Sequence, residues 1–267
     1  MYALRFCMSD QSPPQIEVGD GAAIPVKSDA GLFTAWHIAF VGAIAVSIWL
    51  VVTRPDPYLQ IFKFVPDGIL VTFKVTVGAI LLAIVIGLIA GLGRISQNRF
   101  LNGLASLYVE VIRGIPLLVQ IFYIYYALGR FVKLPDLLSA IIAMAVCYGA
   151  YMGEVFRAGI QSLPKGQMEA ALSLGMTHRQ AMQTVILPQA FRVVLPAIGN
   201  EFIALLKDSS LVSILAVADL LRRGREYASE TFSYFETYTV IALIYLIMTL
   251  FFSKLISLME DRLNAGR

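Results

Sequence analysis

The chain has 267 residues, of which 58% are hydrophobic and 15% charged, with a mean hydropathy of +0.74 and a formal net charge of +3. A water-soluble domain carries roughly a quarter charged residues, so this composition excludes a surface that faces water on all sides. The small net charge gives no footing for nucleic acid.

Residues 1–30 are mostly polar, include Pro13, Pro14 and Pro25, and read as a flexible cytoplasmic tail. A cleaved signal peptide needs a short basic start and an early apolar stretch, so the first span is expected to be a retained anchor. Crossing the hydrocarbon core takes about 20 helical residues, and only helices satisfy their backbone groups within one such segment. The run Gly31–Thr53 holds no carboxylate, lysine or arginine and predicts the first span. Val75–Gly93 predicts the second, and its Gly78, Gly87, Gly91 and Gly93 suit close helix approach. The third is expected over Leu104–Gly129, with charges at Glu110 and Arg113 and a kink at Pro116 that frees a carbonyl. A fourth covers Leu137–Ile160, followed by a polar, periodic stretch from Gln161 to about Pro196. The fifth, Ile198–Ala218, is broken by Lys207 and Asp208, and the sixth covers Thr237–Leu258. The fold class is therefore an all-α integral membrane bundle of about six spans.

Cysteine and histidine usage adds little. Cys7 and Cys147 lie far apart, and His37 and His178 are isolated, so neither a disulfide nor a metal site is expected. Loop charge favours both termini inside. That orientation puts Arg94, Arg99, Arg157, Lys165, Arg179, Arg192, Lys254 and Arg262, with Arg5, Lys27 and Arg267, on the cytoplasmic side. Arg54, Lys63, Arg130, Lys133 and the cluster Arg222, Arg223 and Arg225 fall outside. Phe122, Tyr123, Tyr125, Tyr126 and Phe131 suit an interfacial aromatic belt.

Ionisable side chains at membrane depth are costly and mark functional positions. Glu110 and Arg113 are three apart and share a helix face, as do Glu154 and Arg157. A zwitterionic cargo needs an acceptor for its ammonium and a donor for its carboxylate. Glu154, Arg113, Lys207 and Asp208 are expected to face a central pathway, with Gln120 nearby. The competing reading is a fixed ion network that holds the helices together.

The stretch after the fourth span reads Glu169-Ala170-Ala171, three residues, Gly175, nine residues, then Val185-Ile186-Leu187-Pro188. Residues 168–174 are strong helix formers; Gly175 suits a left-handed helix stop. A second helix from Thr177 is expected to end at Pro188. Helix, sharp turn, helix is a shape that can dock into a groove on another protein. The spacing resembles the EAA loop of ABC-importer permeases, with Val185 where that pattern has Ile. Three further blocks resemble the polar amino acid branch of the type I permeases. They are Tyr108–Gln120, with Ile115 in place of Thr; Tyr151–Ile160; and Lys207-Asp208-Ser209-Ser210-Leu211, with Ser209 in place of Thr.

The resemblance covers residues 66–260, with the EAA loop at about 165–190, and leaves 31–53 as an extra N-terminal helix. It implies a type I permease core in the inner membrane that translocates a polar amino acid. It implies coupling to an ABC ATPase through Glu169, Ala170, Ala171, Gly175, Leu187 and Pro188. It also implies an external substrate-binding protein and a second permease chain, the same or related. The sequence contains no G-x-x-x-x-G-K-[ST] loop. No cofactor is therefore expected on this chain, and ATP and magnesium are expected in the partner ATPase. An ion-gradient-driven transporter or channel using Glu154 and Asp208 is the alternative; it leaves the loop spacing unexplained.

Overall fold

The computed structural model describes residues 35–264. The expected tail, with Cys7, Arg5 and Lys27, the start of the first span at Gly31, and Arg267 lie outside the described residues. Among the described residues the elements are helical throughout: α1 (Ala35–Thr53), α2 (Pro55–Phe64), α3 (Pro66–Arg94), α4 (Arg99–Gly114), α5 (Leu117–Phe131), α6 (Asp136–Gln161), α7 (Lys165–Ser173), α8 (His178–Ala181), α9 (Leu187–Asp208), α10 (Leu220–Thr231) and α11 (Tyr234–Asn264). A π-helical turn, Met182–Ile186, joins α8 to α9, and a 3-10 segment, Ser209–Ile214, follows α9. Five helices are long and apolar enough to cross a membrane, or six spans if the bent pair α4–α5 counts as one.

The parallel pair α3 and α6 forms the centre, its contacts advancing together from Gly78 against Ile141 to Gly91 against Phe156. Their backbones meet because small residues line the seam. A Cβ on Gly87 would lie 2.2 Å from Cβ of Met152, and one on Gly91 would lie 2.8 Å from the Gly153 carbonyl oxygen. In lipid the hydrophobic effect gives helices no reason to associate, so dispersion across such close seams carries much of the packing. Val75, Ala79, Ala83, Ala140, Met144 and Met152 fill the seam and are almost completely buried.

The kink expected at Pro116 in the third span is present and sharp: α4 and α5 meet at a 112° bend. Pro116 has no N–H to give to the Ile112 carbonyl, four residues back. The Gln120 side-chain amide donates to the Ile112 and Ile115 carbonyls and so takes over the acceptors that the break frees.

The fifth span is corrected. It starts at His178 and runs as one helical path to Ile214, through both Pro188 and Pro196. The expected stop at Pro188 does not occur because the preceding turn widens. The Leu187 N–H reaches back five residues to Met182 O. A local π adjustment of this kind accommodates a residue that cannot donate.

Two elements absent from the sequence-based spans close one end of the bundle. α2 buries Tyr58 and Ile61, and the Tyr227 hydroxyl of α10 donates to Gln60 Oε1 at 3.4 Å. Asp219 caps α10, accepting from the Arg222 and Leu221 N–H groups, while the Leu220 N–H donates to Thr72 Oγ1 of α3 at 3.1 Å. α1 packs on α11, where the Trp36 indole N–H donates to the Leu250 carbonyl at 2.8 Å.

Candidate functional site

The segment between α6 and α9 is built as a rigid lever. α7 ends in a Schellman motif: the Met176 N–H reaches Ala171 O at 3.2 Å and the Gly175 N–H reaches Leu172 O at 2.9 Å. Gly175 takes φ +84°, the left-handed conformation that favours glycine. The chain then restarts at once with a capping box. The Gln180 N–H donates to Thr177 Oγ1 at 3.3 Å, and the Thr177 N–H donates to Gln180 Oε1 at 2.9 Å.

The inner face of the lever is dry. Ala171, Ala181 and Ile186 are buried, so α7 lies back against α8 and the π turn. Gln189 ties the two arms together: its side-chain amide donates to Gln167 Oε1 at 3.3 Å and to Val185 O at 3.0 Å. The outer face is open. Glu169, Ala170, Leu187 and Pro188 are exposed, and so is Leu174, at 81%. An apolar side chain held out from a polar connector is a surface suited to a partner. A Cβ on Gly175 would meet nothing within 4 Å.

A second feature lies between α4, α6 and α9. A cleft of about 360 Å³ is lined by Arg113, Tyr151, Glu154, Val155, Ala158, Gly159, Ser162, Val193, Val194, Ala197 and Glu201. A neighbouring hollow of about 460 Å³ shares Arg113, Tyr151 and Glu154 and adds Arg94, Val109, Glu110 and Gly114. The Arg113 guanidinium carbon lies 5.7 Å from the centre of the Tyr151 ring.

The charges in this region divide into a fixed set and a free set. Glu154 is held from two sides: Arg94 Nη1 lies 2.7 Å from its Oε2, and Arg157 grips both carboxylate oxygens. Arg94 also approaches Glu110 at 4.0 Å. Glu110 therefore faces Arg94 of α3, and the expected local pair with Arg113 gives way to a contact between helices. Arg113, Glu201 and Asp208 take part in no ion pair among the described residues. Asp208 accepts a hydrogen bond from the Tyr148 hydroxyl at 2.7 Å, and the Tyr148 and Tyr151 rings lie 5.7 Å apart.

Of the residues singled out in the sequence, Arg113 and Glu154 meet in the cleft. Asp208 lies further along α9, on the Tyr148 hydroxyl. Gln120 is buried in the α4–α5 break, and exposed Lys207 lines neither hollow. Two participants were missed. Glu201 stands inside the predicted fifth span as an acid at membrane depth, a signal the sequence did offer. Arg94 reads as a loop cation, and only the fold brings it to Glu154.

Comparison with known proteins places this architecture. Residues 83–265 match the family described as binding-protein-dependent transport system inner membrane component. The chain is 40% identical over 212 residues to the probable amino-acid permease protein YxeN of Bacillus subtilis (strain 168), covering 77% of this chain and 94% of that one. It is 42% identical over 199 residues to the L-cystine transport system permease protein TcyB of the same organism, covering 74% and 85%. The crystal structure of an amino acid ABC transporter with histidines superposes with a TM-score of 0.73 at 45% identity, over 76% of this chain and 96% of that one. The family match begins within α3, so α1 and α2 lie outside it.

Proposed function

We infer the function from one premise: the chain belongs to the family of binding-protein-dependent transport system inner membrane components. It is a multi-pass permease subunit of an ATP-driven importer, and it works with ATPase and substrate-binding partners. Its cargo, on our reading, is a polar amino acid. The observation that carries this reading is the cleft, where an unpaired guanidinium, Arg113, faces the same space as an unpaired carboxylate, Glu201. These groups complement the carboxylate and ammonium of a zwitterion. The names of the similar YxeN and TcyB permeases support the same cargo class.

The lever around α7 is the docking element for the ATPase in this proposal. Glu169, Ala170 and Leu174 present its outer face, while Gly175 sets the angle between its arms. Leu187 and Pro188 lead into α9, which carries Glu201 two turns beyond Val194 of the cleft wall. Motion of the lever is thus applied to a helix that lines the cleft. ATP and magnesium are held by the partner ATPase. We place both termini and the lever on the cytoplasmic side. The outer cations weigh less against this than their number suggests, because Arg222 and Arg223 both pair with Glu226.

Reconstitution in liposomes with the partner ATPase and binding protein tests the proposal. The expected result is amino acid uptake that requires ATP and stops when the ATPase is omitted. Uptake driven by a proton or sodium gradient without the ATPase overturns it.

A further inference from the structure

On the flank of α9 turned away from the charged cleft lies a second cavity of different character. It is a groove of about 640 Å³ between α9 and α11, floored by Ile80 and Ile84 of α3. Its walls include Leu195, Ile198 and Phe202 of α9 and Leu255 and Met259 of α11. Its one charged lining residue is Arg262, at the end nearest α7.

The dimensions of the groove match one leaflet. From Phe252, the first lining residue on α11, to Arg262 is ten residues of helix, about 15 Å. That is half of a hydrocarbon core about 30 Å thick. Arg262 therefore stands at headgroup level when the groove reaches the midplane. Helical register puts a second cation on this side of α9, just beyond the lining residues. Arg192 lies three residues before Leu195 and seven before Gly199, hence on the groove face of α9. Both arginines are exposed, and neither is in an ion pair among the described residues, although Glu260 and Asp261 neighbour Arg262 in sequence.

We propose that this groove holds an acyl chain of an anionic phospholipid from the leaflet on the α7 side, with the lipid phosphate between Arg262 and Arg192. The chemistry selects this occupant. An amino acid would find no acceptor in the groove. A second copy of the chain packed here about a two-fold axis would bring the same arginines to the seam. A lipid supplies the apolar chain and the compensating charge together.

The full-length protein in detergent, incubated with equimolar phosphatidylglycerol and phosphatidylcholine and examined by native mass spectrometry, tests the assignment. Two cations at the headgroup predict about a thirtyfold preference for the anionic lipid. Arg262→Gln should bring that ratio down to about fivefold, the share of the remaining Arg192, and Arg262→Lys should keep most of it. Ile198→Trp, which fills the trough, should lower retention of both lipids. A photoreactive residue at Leu255 in nanodiscs should capture lipid. Equal retention of the two lipids by the unaltered protein, an undiminished ratio in Arg262→Gln, or capture of a second permease chain at Leu255 would overturn the proposal. None of these readouts depends on transport, so they stand apart from the test of uptake.

Discussion

Glu154 and Glu201 are both glutamates on the wall of one cleft, and their surroundings give them different work. Glu154 has both oxygens occupied by Arg94 and Arg157, and its side chain is 25% exposed. Removing it leaves two guanidinium groups without their acceptor. Hydrogen bonds to charged groups contribute about 1.5–3 kcal/mol each, so Glu154→Ala should lower stability by about 2 kcal/mol or more. A fall in the unfolding midpoint in detergent is the check. Glu201 holds no such network together. Glu201→Gln should keep that midpoint and raise KM for ATP-dependent uptake by tenfold or more. An unaltered KM removes Glu201 from the pathway.

Gly175 offers another residue-scale separation. Open space surrounds its missing Cβ: one built there meets nothing within 4 Å beyond its chain neighbours. Gly175→Ala carries only the left-handed backbone penalty, about 1 kcal/mol, and should keep coupled transport. Gly175→Asp adds a charge on the face that we propose docks the ATPase. It should leave ATP hydrolysis measurable while uptake falls at least tenfold. Parallel loss of uptake in both variants would show that the turn, and not docking, is at fault.

At the scale of elements, the α3–α6 seam makes the strongest demand on side-chain size. Gly87→Ala puts a methyl group 2.2 Å from Cβ of Met152, with the Met152 carbonyl carbon 2.8 Å away. Backbone cannot move aside as a flexible side-chain tip can. The expected cost is about 1–3 kcal/mol, read as a lower thermal midpoint. The same substitution at Gly103, where a Cβ meets nothing within 4 Å, should have little effect. Four of the predicted spans appear at or near their predicted places because long apolar runs in lipid allow only helix. The other two, the bent third span and the corrected fifth, both involve proline. Pro116 breaks its helix by 112°, whereas Pro188 and Pro196 are carried through. A proline fixes the loss of one donor. What replaces that donor, a Gln120 amide or a widened π turn, depends on neighbours that a local pattern does not display.

For the whole molecule, the family match spans residues 83–265, and α1 stands outside it. α1 buries only Ala43 and Leu50 among its described residues, and it meets α11 through the Trp36 hydrogen bond and the apolar cluster around Leu50. The core should therefore fold without it. A chain lacking residues 1–53 should still insert and support ATP-dependent uptake with its partners, at a lower thermal midpoint. Loss of insertion or of all uptake would give the extra helix a role beyond packing.

The sequence by itself determined the class of fold, the number of crossings to within the α4–α5 bend, and the lever with its Gly175 turn. These are local properties: apolar run length, helix capping and glycine conformation act over a few residues. Only the tertiary structure decided which charges are spoken for. Arg94 meets Glu154 from sixty residues away, Tyr148 meets Asp208, and Glu201 and Arg113 are left facing one cleft. The energy of a buried charge depends on what stands within a few ångströms of it, and in a helical bundle those neighbours come from other helices.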